Sequence, residues 1–204
     1  MRTAVLAVAM GMFVFAVGAQ AQDRLDLSIS GGAIFGKSVS QSTSTVSLAP
    51  HFSGSVFGTV RYHLTDLQAV EINIGHSNSS QLFTRPPDTF RVSGTVLEYS
   101  GAYVLTPMHD HRLQPFVFAG AGGLRWSVGN QYIDQVSVNF GAVKQNSLAF
   151  LYGGGADYRL WRRLALRLQY RGLIYRAPGF GVSTLFISAK DHMAEPAAGL
   201  VIKF

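Results

Sequence analysis

The sequence predicts an all-β fold, an eight-stranded antiparallel up-and-down transmembrane β-barrel, and three observations carry this prediction. Apolar residues alternate with polar or small ones along eight segments, which is the pattern of β-strands with two different faces. The connections between these segments are alternately short and long, as in a meander with tight turns at one rim and loops at the other. Only 14% of the 204 residues are charged and 48% are hydrophobic, too few charges for a surface that faces water.

An N-terminal segment precedes the predicted fold. After a short positive start, an almost unbroken apolar run covers residues 4–18, and Ala19 and Ala21 form an A-x-A cleavage pattern. The alternative is a membrane anchor, but the run is shorter than the roughly 20 residues that a spanning helix needs. We therefore predict a signal peptide over residues 1–21, cleaved after Ala21, and a barrel domain over residues 22–204.

The strand order follows from the spacing of the alternating segments. Long polar connections follow the first, third, fifth and seventh strands, and short ones follow the second, fourth and sixth. Both chain termini are therefore expected at the rim that carries the short turns. The predicted strands cover residues 25–36, 51–63, 68–77, 90–105, 114–126, 147–160, 164–176 and 193–204.

The charged face of each strand is predicted to line the lumen. In strand seven, Leu166 and Leu168 share one face, and Arg167 and Arg171 share the other. The polar faces are rich in Gly, Ala and Ser, so they suit an interior better than a water-facing wall. Five acids and six bases nearly balance, as a sealed ionic plug requires, because an unpaired buried charge is costly. The predicted luminal charge network consists of Asp26, Arg61, Glu71, Glu98, Arg125, Asp157, Arg159, Arg167, Arg171, Glu195 and Lys203.

Aromatic residues on the opposite face predict contact with lipid. They fall near the strand ends, as in the two aromatic girdles that flank the apolar band of a membrane barrel. The short-turn girdle is predicted to contain Tyr62, Tyr103, Phe116, Tyr158 and Phe204, and the long-loop girdle Phe35, Phe52, Trp126 and Phe150.

Several segments carry a family resemblance: the run Pro115-Phe-Val-Phe-Ala-Gly-Ala-Gly-Gly123, the run Gly153-Gly-Gly-Ala-Asp-Tyr-Arg-Leu160 followed by Leu166-Arg167 and Tyr170-Arg171, and the ending Gly199-Leu-Val-Ile-Lys-Phe204. With them, the chain resembles the outer-membrane protein β-barrel family, the eight-stranded OmpA, OmpX and opacity type. The resemblance implies a Gram-negative outer membrane with periplasmic termini. It also implies that Leu200, Ile202 and Phe204 form the signal that the barrel-assembly machinery recognises.

The sequence predicts no catalytic residue, no metal site and no cofactor. Lipid A deacylases are eight-stranded barrels with a His and a Ser two positions apart on one strand. Here His76 and Ser77 are adjacent, so their side chains are expected on opposite faces. We therefore expect that the protein is not an enzyme, and a lipid A-modifying hydrolase is the least favoured alternative.

The long loops are the predicted place of function. We expect a structural or surface-interaction protein whose loops contact an extracellular ligand, with Arg85, Arg176 and Lys190 meeting outer-membrane lipid and lipopolysaccharide. The alternative is a narrow small-solute channel, which is disfavoured because eight strands leave an interior that side chains just fill. Nucleic acid is not an expected partner, although the net charge is +6, because the basic residues are scattered.

Overall fold

The computed structural model describes residues 24–36, 39–40, 47–50, 53–85, 88–108, 111–133, 136–137, 143–176 and 190–204, and eleven strands form within them. Eight are long and three are short. In chain order they are β1 (Leu25–Gly36), β2 (Val39–Ser40), β3 (Ser47–Pro50), β4 (Ser53–His63), β5 (Gln68–Arg85), β6 (Asp88–Leu105), β7 (Leu113–Ile133), β8 (Val136–Ser137), β9 (Gln145–Arg159), β10 (Leu164–Arg176) and β11 (Lys190–Lys203).

The eight long strands close into one antiparallel barrel. Each pairs with its neighbours in chain order, from β1 through β4, β5, β6, β7, β9 and β10 to β11. The first and last strands complete the ring, with Asp26 opposite Lys203 and Phe35 opposite Ala194. Closure pairs the backbone groups that an open sheet would expose at its edges, which a wall surrounded by lipid requires. The predicted up-and-down barrel of eight strands is confirmed.

Tight turns end the strands at one rim. Between β4 and β5, the hydroxyl of Thr65 accepts hydrogen bonds from the backbone N–H groups of Leu67 and Gln68. Between β9 and β10, the N–H groups of Leu160 and Trp161 both donate to the carbonyl of Leu164. These bonds satisfy backbone groups that would otherwise be unpaired where the chain reverses.

No helix long and apolar enough to cross a membrane occurs among the described residues.

At the other rim, the sheet continues beyond the ring on one side. The sequence predicts a loop over residues 78–89, but β5 and β6 remain paired up to Arg85 and Asp88. The prediction was wrong because it treated polar residues as loop formers, whereas Ser80 and Ser93 face each other across the strands with their hydroxyls 3.4 Å apart. Strand β3 adds to β5, and β8 adds to the end of β7.

Burial alternates along the strands in the sense expected for a barrel in lipid. Most charged side chains of the strands face inward, and many large apolar side chains face outward; Ile72, for example, is 64% exposed. The outward apolar wall includes Ile29, Phe35, Val56, Val60, Tyr62, Val70, Ile74, Tyr99, Tyr103, Val117, Phe150, Tyr158, Leu166, Leu168, Tyr170, Leu200 and Ile202.

Two glycines in this wall lie under aromatic rings. A Cβ atom added to Gly123 would overlap the ring of Tyr99, and one added to Gly172 would overlap the ring of Tyr152. Each tyrosine therefore covers a neighbouring strand at a position where only glycine leaves room for the ring.

Candidate functional site: the barrel lumen

The first group of luminal charges centres on Asp157. Arg167 donates two hydrogen bonds to this carboxylate, from Nε at 2.7 Å and from Nη2 at 2.8 Å. Arg61 lies 3.9 Å from the same carboxylate and donates to Glu71 from Nη2 at 3.0 Å and from Nε at 3.2 Å. All four side chains are buried. Arg167 contacts both oxygens of Asp157, which is the strong, two-pronged form of an arginine–carboxylate pair, whereas both Arg61 donors share one oxygen of Glu71.

The second group centres on Arg171. One guanidinium nitrogen donates to Glu195 at 2.7 Å, and another donates to Glu98. The hydroxyl of Ser55 donates to Glu195, and that of Ser100 donates to Glu98 at 2.8 Å. A single cation thus pairs with two carboxylates, and two hydroxyls satisfy part of their remaining hydrogen-bonding capacity. We refer to both groups together as the ionic layer.

Aromatic rings complete the ionic layer. The ring of Phe116 lies under two guanidinium groups, 4.3 Å from that of Arg61 and 5.0 Å from that of Arg167. The ring of Phe57 lies 4.1 Å from the guanidinium of Arg171. Cations over aromatic faces are stabilised most where water is excluded. The sequence predicts Phe116 on the outer wall, and that prediction was wrong.

Polar contacts continue toward the short-turn rim. His63 Nε2 lies 2.8 Å from a carboxylate oxygen of Asp26. The ammonium group of Lys203 donates to Gln114 and lies 4.0 Å from Asp157. The Lys203 contact joins the last barrel strand to the ionic layer, and a hydrogen bond from Arg167 to the Ser28 hydroxyl at 3.3 Å joins the first strand to it.

Toward the long-loop rim, apolar side chains fill the lumen. Trp126 is only 2% exposed, and its ring lies 5.5 Å from that of Tyr175, whose hydroxyl donates to Asp191 at 2.9 Å. Two cavities beside this layer measure about 10 and 20 Å³, about the space that one water molecule occupies. We call this set the apolar layer; it comprises Ile34, Val96, Leu124, Trp126, Ala149, Leu151, Leu173, Tyr175 and Met193.

The structure brings most of the predicted charge network together. Lys203 is half-buried with the contacts described above, and Arg159 is half-buried at the short-turn rim, where its carbonyl accepts a hydrogen bond from Arg112 at 3.4 Å. The fully buried members are Asp26, Arg61, Glu71, Glu98, Asp157, Arg167, Arg171 and Glu195.

Arg125 is the exception, because its side chain is exposed on the outer wall while Leu124 and Trp126 are buried. The sequence therefore predicts the two faces of β7 the wrong way round. For the same reason Phe116 and Trp126, predicted in the lipid-facing girdles, are buried in the lumen. The cause lies in the segment from Phe116 to Gly123, where apolar and small residues occupy both faces. Period-two alternation carries little information there.

The remaining predicted girdle positions have mixed outcomes. Phe204 is half-buried, and Phe52 lies outside the described residues. The exposed members are Phe35, Tyr62, Tyr103, Phe150 and Tyr158.

Sequence reasoning missed several luminal residues. His63 and Asp191 have the inward parity of Arg61 and Glu195 on their strands, so counting by two from those charges would have found them. The apolar layer offers no such signal of composition, since the same residue types face lipid elsewhere in this chain.

The positions of His76 and Ser77 bear on catalysis. His76 is exposed on the outer wall, and Ser77 is buried on the luminal face. The two glutamates that line the same small cavity, Glu98 and Glu195, are both held by Arg171. The two side chains therefore cannot act together on one substrate atom.

Comparisons with solved structures find the same fold. OprG from Pseudomonas aeruginosa has a TM-score of 0.57 at 15% identity, over 91% of this chain and 98% of that one. Neisserial surface protein A has a TM-score of 0.56 at 13% identity, over 88% and 97%. A major outer membrane protein from Thermus thermophilus has a TM-score of 0.56 at 14% identity, over 88% and 99%. A search of curated proteins finds no match.

The family comparison agrees with the fold. Residues 5–190 match the family described as "Outer membrane protein beta-barrel domain", so the match covers most of the chain. The resemblance predicted from the sequence is confirmed. The chain belongs to the outer membrane protein β-barrel family.

Proposed function

We propose that this protein is a non-conducting, non-catalytic outer-membrane anchor that presents its projecting sheet and long loops at the cell surface. The filled lumen is the observation that carries the proposal. Three buried arginines are each neutralised by carboxylates, and the apolar layer lies between them and the long-loop rim. A solute would have to break charge-assisted hydrogen bonds and then pass through close-packed side chains.

The proposal includes how the chain is exported and which rim of the barrel faces the periplasm. The signal peptide over residues 1–21 directs a Gram-negative cell to export the chain, and the barrel-assembly machinery recognises Leu200, Ile202 and Phe204. The short turns then face the periplasm together with both termini, and the long connections face outward.

The long-loop rim is the proposed contact surface. Arg176 and Lys190 are both exposed and lie opposite each other across β10 and β11. Paired cations at the edge of an apolar wall suit the phosphate groups of lipopolysaccharide. Beyond them, the sheet formed by β3, β5, β6, β7 and β8 provides a surface for an extracellular ligand.

Conductance tests the closed lumen. The mature chain is refolded into detergent, the fold is verified by its heat-dependent gel shift, and single-channel currents are recorded in a planar bilayer. We expect no stepwise currents. Reproducible steps from a folded sample would overturn the proposal in favour of a small-solute channel.

A matched variant pair shows that the assay detects opening. Replacing Arg61, Glu71, Asp157 and Arg167 together by alanine keeps the net charge but empties only the first group of luminal charges, so Trp126→Ala, Leu151→Ala and Tyr175→Ala are added to empty the apolar layer. We expect currents from this combined variant, whose fold is verified by the same heat-dependent gel shift. Arg125→Ala removes a charge from the outer wall and should remain silent.

Accessibility labelling tests the orientation. The chain contains no cysteine, so a single one can be introduced at either rim. In intact cells, a membrane-impermeant maleimide should label Lys144→Cys beside the long connection before β9. It should not label Asp66→Cys in the β4–β5 turn. The reverse pattern would place the termini outside and contradict the proposal.

A further inference from the structure

The short-turn rim carries a concentrated basic patch on one side. Arg112, Arg162 and Arg163 are exposed there, with the half-buried Arg159 beside them. No Asp or Glu occurs among the described residues 111–113 and 158–165. The β4–β5 turn at the same rim carries Asp66, and Arg24 is the exposed base beside that turn. Most of the positive charge of the described part of this rim therefore lies where β7 and β10 begin and β9 ends.

Backbone contacts make this patch continuous. The N–H of Arg159 donates to the carbonyl of Arg112 at 2.8 Å, and Leu113 lies opposite Tyr158 in the β7–β9 pairing. The carbonyl of Arg163 accepts from the N–H of Lys203 at 2.9 Å, which fixes the β9–β10 turn against the last strand. The arginines therefore project from rigid, paired backbone.

The patch adjoins the lipid-facing wall directly. The guanidinium of Arg112 lies 5.1 Å from the ring of Tyr158, which faces outward. Leu113 and Leu166 are exposed beside that ring, and Trp161 in the turn is 68% exposed. Exposed tryptophan and tyrosine at the end of an apolar wall are typical of the headgroup level of a membrane. The cations thus lie at the depth of lipid phosphates.

We infer that this patch binds the phosphate of an anionic glycerophospholipid in the leaflet that meets the short-turn rim. Arg112, Arg162 and Arg163 would hold the phosphate, since guanidinium groups match phosphate oxygens in a two-pronged geometry. The acyl chains would lie along Leu113, Tyr158 and Leu166. With the orientation proposed above, on which this assignment to a leaflet rests, the lipid belongs to the periplasmic leaflet.

Tryptophan fluorescence offers a local test. The chain has two tryptophans, and Trp126 is enclosed in the lumen, so a lipid quencher acts mainly on Trp161. The refolded protein is placed in phosphatidylcholine vesicles containing a minor share of phosphatidylglycerol. Bromine is placed on the chains of one lipid or the other, and Trp161→Phe supplies the background.

We expect brominated phosphatidylglycerol to quench several-fold more than the same share of brominated phosphatidylcholine. The triple variant Arg112→Gln, Arg162→Gln, Arg163→Gln should lose this preference. Each basic residue near an anionic surface contributes about a factor of five, so the affinity should fall by about a hundredfold. Equal quenching by both lipids in the unchanged protein would overturn the inference.

A matched variant removes three cations from the opposite rim. Arg91→Gln, Arg176→Gln, Lys190→Gln should keep the preference at Trp161, and an equal loss would show a general charge effect instead of a site. Soluble glycerol phosphate should not compete; competition would indicate a free-phosphate site and overturn the lipid assignment. Because this test uses vesicles, a wrong cellular orientation would appear only in the cysteine labelling, so the two failures are distinguishable.

Discussion

The ionic layer and the apolar layer occupy the same lumen, and neighbouring positions of the same strand faces belong to both. Arg171 and Leu173 are two residues apart on β10, and Glu195 and Met193 are two apart on β11, all of them buried. Each layer excludes water in a different way. The ionic layer does so by mutual neutralisation of charge, and the apolar layer does so by close packing. Only the ionic layer therefore depends on the presence of every charged partner, because a missing one leaves an uncompensated buried charge.

The largest expected effect is on the ionic layer. Arg171→Met leaves Glu98 and Glu195 buried without their cation, and breaking such a pair costs about 3–5 kcal/mol. Urea unfolding of the refolded barrel in vesicles measures the loss of stability, with the heat-dependent gel shift as the readout. Adding Glu98→Gln and Glu195→Gln to the same chain should restore most of the stability. A single variant as stable as the unchanged protein would contradict the ionic pairing.

A smaller effect is expected in the apolar layer. Leu151 is 0% exposed, so Leu151→Ala leaves a cavity that costs about 3 kcal/mol. Leu148 on the same strand is 88% exposed, so Leu148→Ala should cost less than about 1 kcal/mol. If the two variants lose equal stability in the same urea titration, the side chains around Leu151 do not pack closely in the lumen.

The contact between aromatic rings and guanidinium groups can be separated from packing. Phe116→Leu keeps an apolar side chain but removes the ring under Arg61 and Arg167, and should cost about 1–2 kcal/mol. Phe118 is also buried but has no guanidinium over its ring among the described contacts, so Phe118→Leu is the control. The unfolding midpoint in urea should fall further for Phe116→Leu; the opposite order would argue against the cation–aromatic contribution.

The smallest effect is expected at Arg125. Arg125→Gln should change the free energy of unfolding by less than about 0.5 kcal/mol, because the side chain is exposed outside the network. Arg61→Gln, which removes a buried partner of Glu71, should behave like the Arg171 variant in the same measurement. A large loss at Arg125 would restore the face assignment that the sequence predicts for β7.

The predicted strand bounds show where sequence patterns suffice. The bounds of β1 and β10 agree with the predicted segments 25–36 and 164–176. The β5–β6 hairpin is longer than predicted, because its polar residues are held by pairing with each other. Nothing in their composition distinguishes such a paired extension from a loop.

By itself, the sequence determined that this chain closes into an eight-stranded barrel with most of its charges inside. Alternation predicts strands with one apolar face, and the low content of charged residues predicts that this face contacts lipid. The tertiary structure alone decided which charges meet across the lumen. Arg171 meets Glu98 from 73 positions away along the chain, and Asp157 is shared between Arg167 and Arg61. It also decided the faces of β7. The contacts across the lumen depend on the stagger of strands around the ring. The inward face of β7 depends on its register, because a shift by one residue exchanges the two faces. Neither is encoded in a period of two residues.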